Sequence, residues 1–158
     1  LDHLPIQKDQ IHPMCSSQSP VQAAEEYEGL LAEYFELEPT ALPVFDLIFL
    51  GIGQDGHTAS IFPNDRTAID TGRWVVPVKG GTPDIHRLTL TMPVLIQARH
   101  LVFLVTGRSK AGMVRTIFEQ DSAGIPPQHL NTSGNQVFWF LDQKAANLLT
   151  KNYADQKY

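Results

Sequence analysis

The segment from Gly51 to Pro63, GIGQDGHTASIFP, places three glycines, Asp55 and His57 within seven positions, directly after the apolar run VFDLIFL. An imidazole is the side chain whose charge changes nearest neutral pH, and a carboxylate two residues away can orient it or stabilise its charged form. The same carboxylate could instead cap a short helix that follows it, and the residues alone leave both roles open. Glycines such as Gly53 and Gly56 let backbone N–H groups come close to a bound ligand. A second loop, TGRSKA, carries Arg108 and Lys110 to the start of a helix, where N–H groups and positive charge together suit an anion. Taken alone, Lys110 reads more readily as a solvated helix residue.

Other chemistries fit less well. GIGQDG satisfies Gly-x-Gly-x-x-Gly, but a dinucleotide site also needs an acidic residue at the end of a second strand. Asp70 sits in AIDTGRW, which reads as a loop. No Gly-x-Ser-x-Gly elbow is present, which disfavours a covalent serine mechanism, and no Cys/His spacing resembles a closed zinc site.

The elements that must position these loops follow from the apolar pattern. Ser19, Pro20 and Gln22 form a capping box opening a helix over 20–36, with Val21, Ala24, Leu31, Tyr34 and Phe35 on its apolar stripe. Glu25, Glu26, Glu28 and Glu33 read as its solvated face, and Pro39 and Pro43 end it. The run 44–50 is almost continuously apolar, broken only by Asp46, as in a strand covered on both faces, and LVFLVTG (101–107) is a second of that kind. Strands are expected at 73–78 and 86–92, the latter alternating Leu88, Leu90 and Met92 against Thr89 and Thr91. PVLIQAR and RSKAGMVRTIFE read as helices, GIPPQHLNTSGN as a loop, QVFWFL as a strand and DQKAANLLTKNY as a final helix started by Asp142. This order predicts an α/β fold with a layered, mostly parallel sheet flanked by helices. If the strands at 44–50 and 101–105 are parallel neighbours, His57 and Lys110 converge on one crevice at their carboxyl ends.

A chain of 158 residues with 42% hydrophobic side chains suits a single domain. Its net charge of −5 is spread along the chain without a Lys/Arg cluster, so nucleic acid is not an expected partner. Cys15 has no second cysteine to pair with, which fits a reducing, cytoplasmic setting. No apolar stretch is long enough to span a bilayer, and LDHLPIQKDQ lacks the pattern of an export signal, so no membrane partner is expected. LDHLPI reads as the last turn of a helix stopped by Pro5, as though the chain begins within a fold.

At this point the motifs carry a family resemblance. DLIFLGIGQDGHTASIFP resembles the signature of 6-phosphogluconolactonases, RLTLTMPVLIQARHLVFLVTGRSKA is similar to that family's second long motif, and VFWFLDQKAANLL is similar to its C-terminal strand and helix. Glucosamine-6-phosphate deaminases, relatives on the same fold, share Gly-x-Gly-x-Asp-Gly-His but continue with Phe-Asn-Glu-Pro. Thr58, Ala59, Ser60 and Phe62 therefore point to the lactonase.

The resemblance implies hydrolysis of 6-phosphogluconolactone to 6-phosphogluconate, in the oxidative pentose phosphate pathway, with no cofactor and no metal required. In that chemistry His57 is the base that takes a proton from water, Asp55 orients or stabilises it, and N–H groups of the turn around Gly53 and Gly56 are candidate oxyanion donors. Lys110 and Arg87 are the implied phosphate or substrate ligands, with Arg108 a weaker third. Where many family members carry Pro-Lys-Pro-Pro before that arginine, this chain has VKGGTPDIHR, and Lys79 is the candidate to replace the motif lysine. Family members also carry an upstream strand with a Ser-Gly-Gly loop and an Asp-Glu-Arg motif, and neither is found here, so the chain resembles the C-terminal part of such an enzyme. Two alternatives follow: a deaminase-type activity, or a poorly active fragment that binds sugar phosphates or self-associates through surface the missing strands would cover.

Overall fold

Ser19 opens the first helix as its sequence requires. In the computed structural model, which describes residues 3–14, 19–38, 41–69, 71–81, 83–120, 124–130 and 136–153, the Ser19 hydroxyl and the Gln22 side chain each cap the other's backbone N–H. Cys15, Pro39 and Asp70, singled out above, lie outside the described residues. Helix α1 spans Pro20–Tyr34 and buries Ala23, Ala24 and Leu31. One of its glutamates is not on a solvated face: Glu28 reaches Arg73, 2.6 Å from Nε, and accepts the N–H groups of Trp74 and Val75. Burial pushes the Glu28 carboxyl up, but the Arg73 guanidinium and the two N–H groups outweigh it and hold it below its ordinary value.

Strands β1 (Leu47–Leu50), β4 (His100–Val105) and β5 (Gln136–Leu141) form a parallel sheet in the order β1-β4-β5. Between them in sequence, β2 (Val75–Gly80) and β3 (Ile85–Leu90) form a separate antiparallel hairpin, so among the described residues the parallel character belongs to three of five strands. Helix α2 (Met92–Gln97) follows β3, and α3 (Ala111–Glu119) follows β4 through a 3₁₀ turn at Arg108–Lys110.

The register decides which face of the sheet is core. Ile48, Leu50, Leu101, Phe103, Val105, Val137, Trp139 and Leu141 share one face and pack into the main apolar cluster. Phe103 and Trp139, partners in register, stack with ring centroids 3.9 Å apart. Leu47, Phe49, Leu104, Phe138 and Phe140 share the opposite face and are exposed, Phe49 at 63%. The expectation that 44–50 and 101–107 are covered on both faces is therefore corrected. Among the described residues one face is covered and the other is open.

Two further expectations change. Thr89 and Thr91, the polar side of an alternating strand, are buried, because Thr91 Oγ1 donates to Arg73 O at 2.8 Å and Thr89 Oγ1 donates to Leu90 O at 2.9 Å. The final helix from Asp142 stops after one turn, in which Ala146 N donates to Asp142 O. Thr150 N is drawn away to the Glu119 carboxylate at 2.6 Å, a tertiary contact that competes with helix propagation. At the other end Ile6 N donates to Leu4 O at 2.8 Å, and Leu1 and Asp2, the first residues of the expected helix turn, lie outside the described residues.

Candidate active site

Strand β1 delivers the loop 51–62 to the carboxyl edge of the parallel sheet. Gly53 N donates to His57 O at 2.7 Å and Gly56 N to Gly53 O at 3.2 Å, which closes the loop into a tight turn. Thr58 is fully buried, and its Oγ1 donates to Gly51 O at 2.9 Å. Ser60 N donates to Thr89 Oγ1 at 3.2 Å, tying the loop to β3.

This turn brings Asp55 and His57 together. His57 Nδ1 lies 2.7 Å from Asp55 Oδ1, and His57 N donates to the same oxygen at 3.3 Å. Partial burial pushes the Asp55 carboxyl up, but the His57 backbone N–H and ring outweigh it and hold it below the usual carboxylate range. With Nδ1 turned to the carboxylate, Nε2 is the ring nitrogen left to meet a reactant. No helix starts after Asp55: Thr58 and Ile61 form an isolated bridge instead. The Phe62 ring packs against the imidazole at 4.9 Å between centroids. His57 is about one-third exposed and lines a cleft of about 500 Å³ running along β1, with Ile48–Ile52 on one side and Leu88, Thr89 and Leu90 of β3 on the other.

The N–H groups of Gly53 and Gly56, expected as oxyanion donors, are both donated within the turn. A Cβ at Gly53 would overlap Asp55 Oδ1 and His57 Nδ1, so only glycine leaves room for the pair. Gly56 has φ +92°, and a Cβ there would press on Met113 and Ile125.

Because β1 and β4 are parallel neighbours, Lys110 comes to the same edge. Its Nζ donates to Ile52 O at 2.8 Å, at the root of the loop that carries the Asp55–His57 pair. Arg108 is exposed at the start of the 3₁₀ turn. Arg87 shares the hairpin face of Thr89, and its Nε donates to Gly80 O at 3.2 Å. Gly80 in turn sits against the Phe62 ring, which places Arg87 beside the aromatic neighbour of His57. Lys79 lies on the opposite face of the hairpin, exposed and 3.4 Å from Asp84, so the structure does not bring it to the cleft.

Sequence reasoning missed Thr89 and Asp142. By sequence Thr89 reads only as the polar alternate of Leu88 and Leu90, and in the structure it pairs with buried Val76 and is itself buried. Asp142 looked like a helix cap, but both its carboxylate oxygens also accept Gly107 N, at 3.0 and 3.1 Å.

A family profile described as glucosamine-6-phosphate isomerases/6-phosphogluconolactonase matches residues 1–139. The 6-phosphogluconolactonase of Synechocystis sp. is 42% identical over 154 residues, covering 94% of this chain and 62% of the relative. The human 6-phosphogluconolactonase is 37% identical over 152 residues, covering 95% of this chain and 58% of the relative. The solved structure of the 6-phosphogluconolactonase from Trypanosoma cruzi superposes with a TM-score of 0.70 at 31% identity, covering 84% of this chain and 53% of that one. The chain spans about three-fifths of the length of these curated relatives. A profile that runs through the His57 loop, β4 and most of β5, together with the same parallel-sheet fold, places this chain in the glucosamine-6-phosphate isomerase/6-phosphogluconolactonase family.

Proposed function

We propose that this chain carries the water-activating half of a 6-phosphogluconolactone hydrolase. The observation that supports it most directly is the 2.7 Å contact between His57 Nδ1 and Asp55, which turns Nε2 outward at the edge of a cleft. Nε2 takes a proton from water as the water oxygen bonds to the lactone carbonyl carbon. The tetrahedral adduct then collapses with cleavage of the bond to the ring oxygen. The imidazolium returns its proton to that oxygen, and 6-phosphogluconate leaves. Asp55 remains ionised throughout and holds the imidazole in the productive tautomer. Formation of 6-phosphogluconate above the spontaneous rate, by the complete gene product that contains this chain, tests the reading. Ammonia release from glucosamine 6-phosphate in its place would overturn it.

Lys110 is the proposed phosphate ligand, its amine exchanging Ile52 O for a phosphate oxygen or sharing both. A hydrogen bond to a charged group contributes about 1.5–3 kcal/mol, so Lys110→Ala should weaken 6-phosphogluconate binding roughly tenfold to a hundredfold. Unphosphorylated gluconate should be nearly unaffected. Equal losses for both ligands, measured by calorimetry, would take Lys110 off the phosphate.

The open sheet face supports a second property of the 158 residues in isolation. Leu47, Phe49, Leu104, Phe138 and Phe140 form an apolar surface, with His100 and Gln136 at its edge, that a second copy can cover. Sedimentation velocity should show concentration-dependent association, and Phe49→Ser combined with Phe140→Ser should abolish it. A strict monomer at every concentration would refute the interface.

A further inference from the structure

We propose that Asp142 is a positioning residue for Lys110, acting through the backbone turn between β4 and α3. The inference rests on Lys110 being the phosphate ligand. Three hydrogen-bonded steps carry it. Both Asp142 carboxylate oxygens accept Gly107 N, at 3.0 and 3.1 Å. Gly107 O accepts Lys110 N at 3.1 Å, closing the 3₁₀ turn. Lys110 Nζ then reaches Ile52 O at 2.8 Å, on the loop that carries His57. The carboxyl ends of β5, β4 and β1 are thereby linked in series across the edge where the candidate site lies.

The turn needs such an anchor. Gly107 has φ +94° and no Cβ neighbour within 4 Å, so no side chain of its own packs it in place. Arg108 and Ser109 that follow are exposed. Beyond the bonds within the turn, the same aspartate adds a backbone tie beside it, Asp142 N to Val105 O at 3.2 Å. Asp142 Oδ1 also accepts Ala145 N at 2.7 Å, and these N–H groups hold the carboxyl below its ordinary value, so it stays ionised at neutral pH. An acceptor oxygen shared by Gly107 and Ala145 fixes where the Lys110 turn begins.

The test compares Asp142→Ala, Asp142→Asn and Lys110→Ala in the complete gene product. Misplacing a binding group by about an ångström can cost up to roughly a hundredfold, so Asp142→Ala should raise KM for the phosphorylated lactone by about tenfold or more with kcat little changed. Asp142→Asn keeps an oxygen acceptor for Gly107 and Ala145 and should stay within about threefold of the parent. Asp142→Ala combined with Lys110→Ala should be no worse than Lys110→Ala alone, because the first acts through the second. Additive losses in the double variant, or an Asn variant as impaired as the Ala variant, would overturn the proposal. Amide hydrogen exchange supplies a readout independent of activity: Gly107 and Lys110 N–H should lose protection in Asp142→Ala and keep it in Asp142→Asn. Should the parent not hydrolyse the lactone, the proposed reaction fails. Unchanged exchange at Gly107 and Lys110 would sink the positioning role even in a fully active parent.

Discussion

Replacing His57 by Asn should lower kcat for lactone hydrolysis by about 10²–10⁴-fold while leaving thermal unfolding close to the parent's. Asparagine can still donate to Asp55, so the turn survives, but it offers no nitrogen that accepts a proton at neutral pH. Steady-state kinetics beside a melting curve separates the two effects. Turnover within a few-fold of the parent would remove His57 from the base role. The pH dependence follows from its partner. Asp55 is held below the usual carboxylate range, so its stabilising contact with His57 is present above the unfolded-state carboxylate pKa. The contact is lost as pH falls through the depressed folded value. In an Asp55→Asn variant that acid-side loss should disappear, and kcat should fall at neutral pH because the imidazolium has lost its counter-charge.

Gly53→Ala should be nearly as damaging to turnover as loss of the base, and for a reason visible only in three dimensions. The added methyl would occupy the space of Asp55 Oδ1 and His57 Nδ1. Gly53 is not among the glycines with positive φ, so alanine meets no backbone strain there. The obstructing atoms are the ends of two side chains that can swing aside. The cost therefore falls on the Asp55–His57 pair and not on the fold: kcat should drop by about a hundredfold or more, with a melting temperature within a few degrees of the parent. The imidazole Nδ1 proton resonance should shift as its bond to Asp55 breaks. A fully active Gly53→Ala protein would show that the pair as seen here is not the reacting arrangement.

The sequence by itself determined the local features: the Ser19 capping box, the strand-then-glycine delivery of the loop, and the presence of Asp55 and His57 within one turn. These depend on interactions between residues a few positions apart, where spacing alone limits the geometry. It left conditional whether the loops after β1 and β4 meet, and the parallel pairing of those strands in the structure meets that condition by placing both carboxyl ends at one edge. Tertiary structure decided the rest. Continuous apolar runs such as LIFL and HLVFLV do not say how many faces are covered, and only the packing of the described residues leaves Phe49 and Phe140 open. Thr89 alternates like a solvent-facing residue, yet the Ser60 N–H makes its burial tolerable. The roles of Gly53 and Asp142 were hidden for the same reason. One depends on the space left beside a side-chain pair, the other on an N–H group 35 residues away in sequence. Pattern reads neighbours along the chain but not the space between their side chains, and the Asp142–Gly107 contact exists only once β4 and β5 lie side by side.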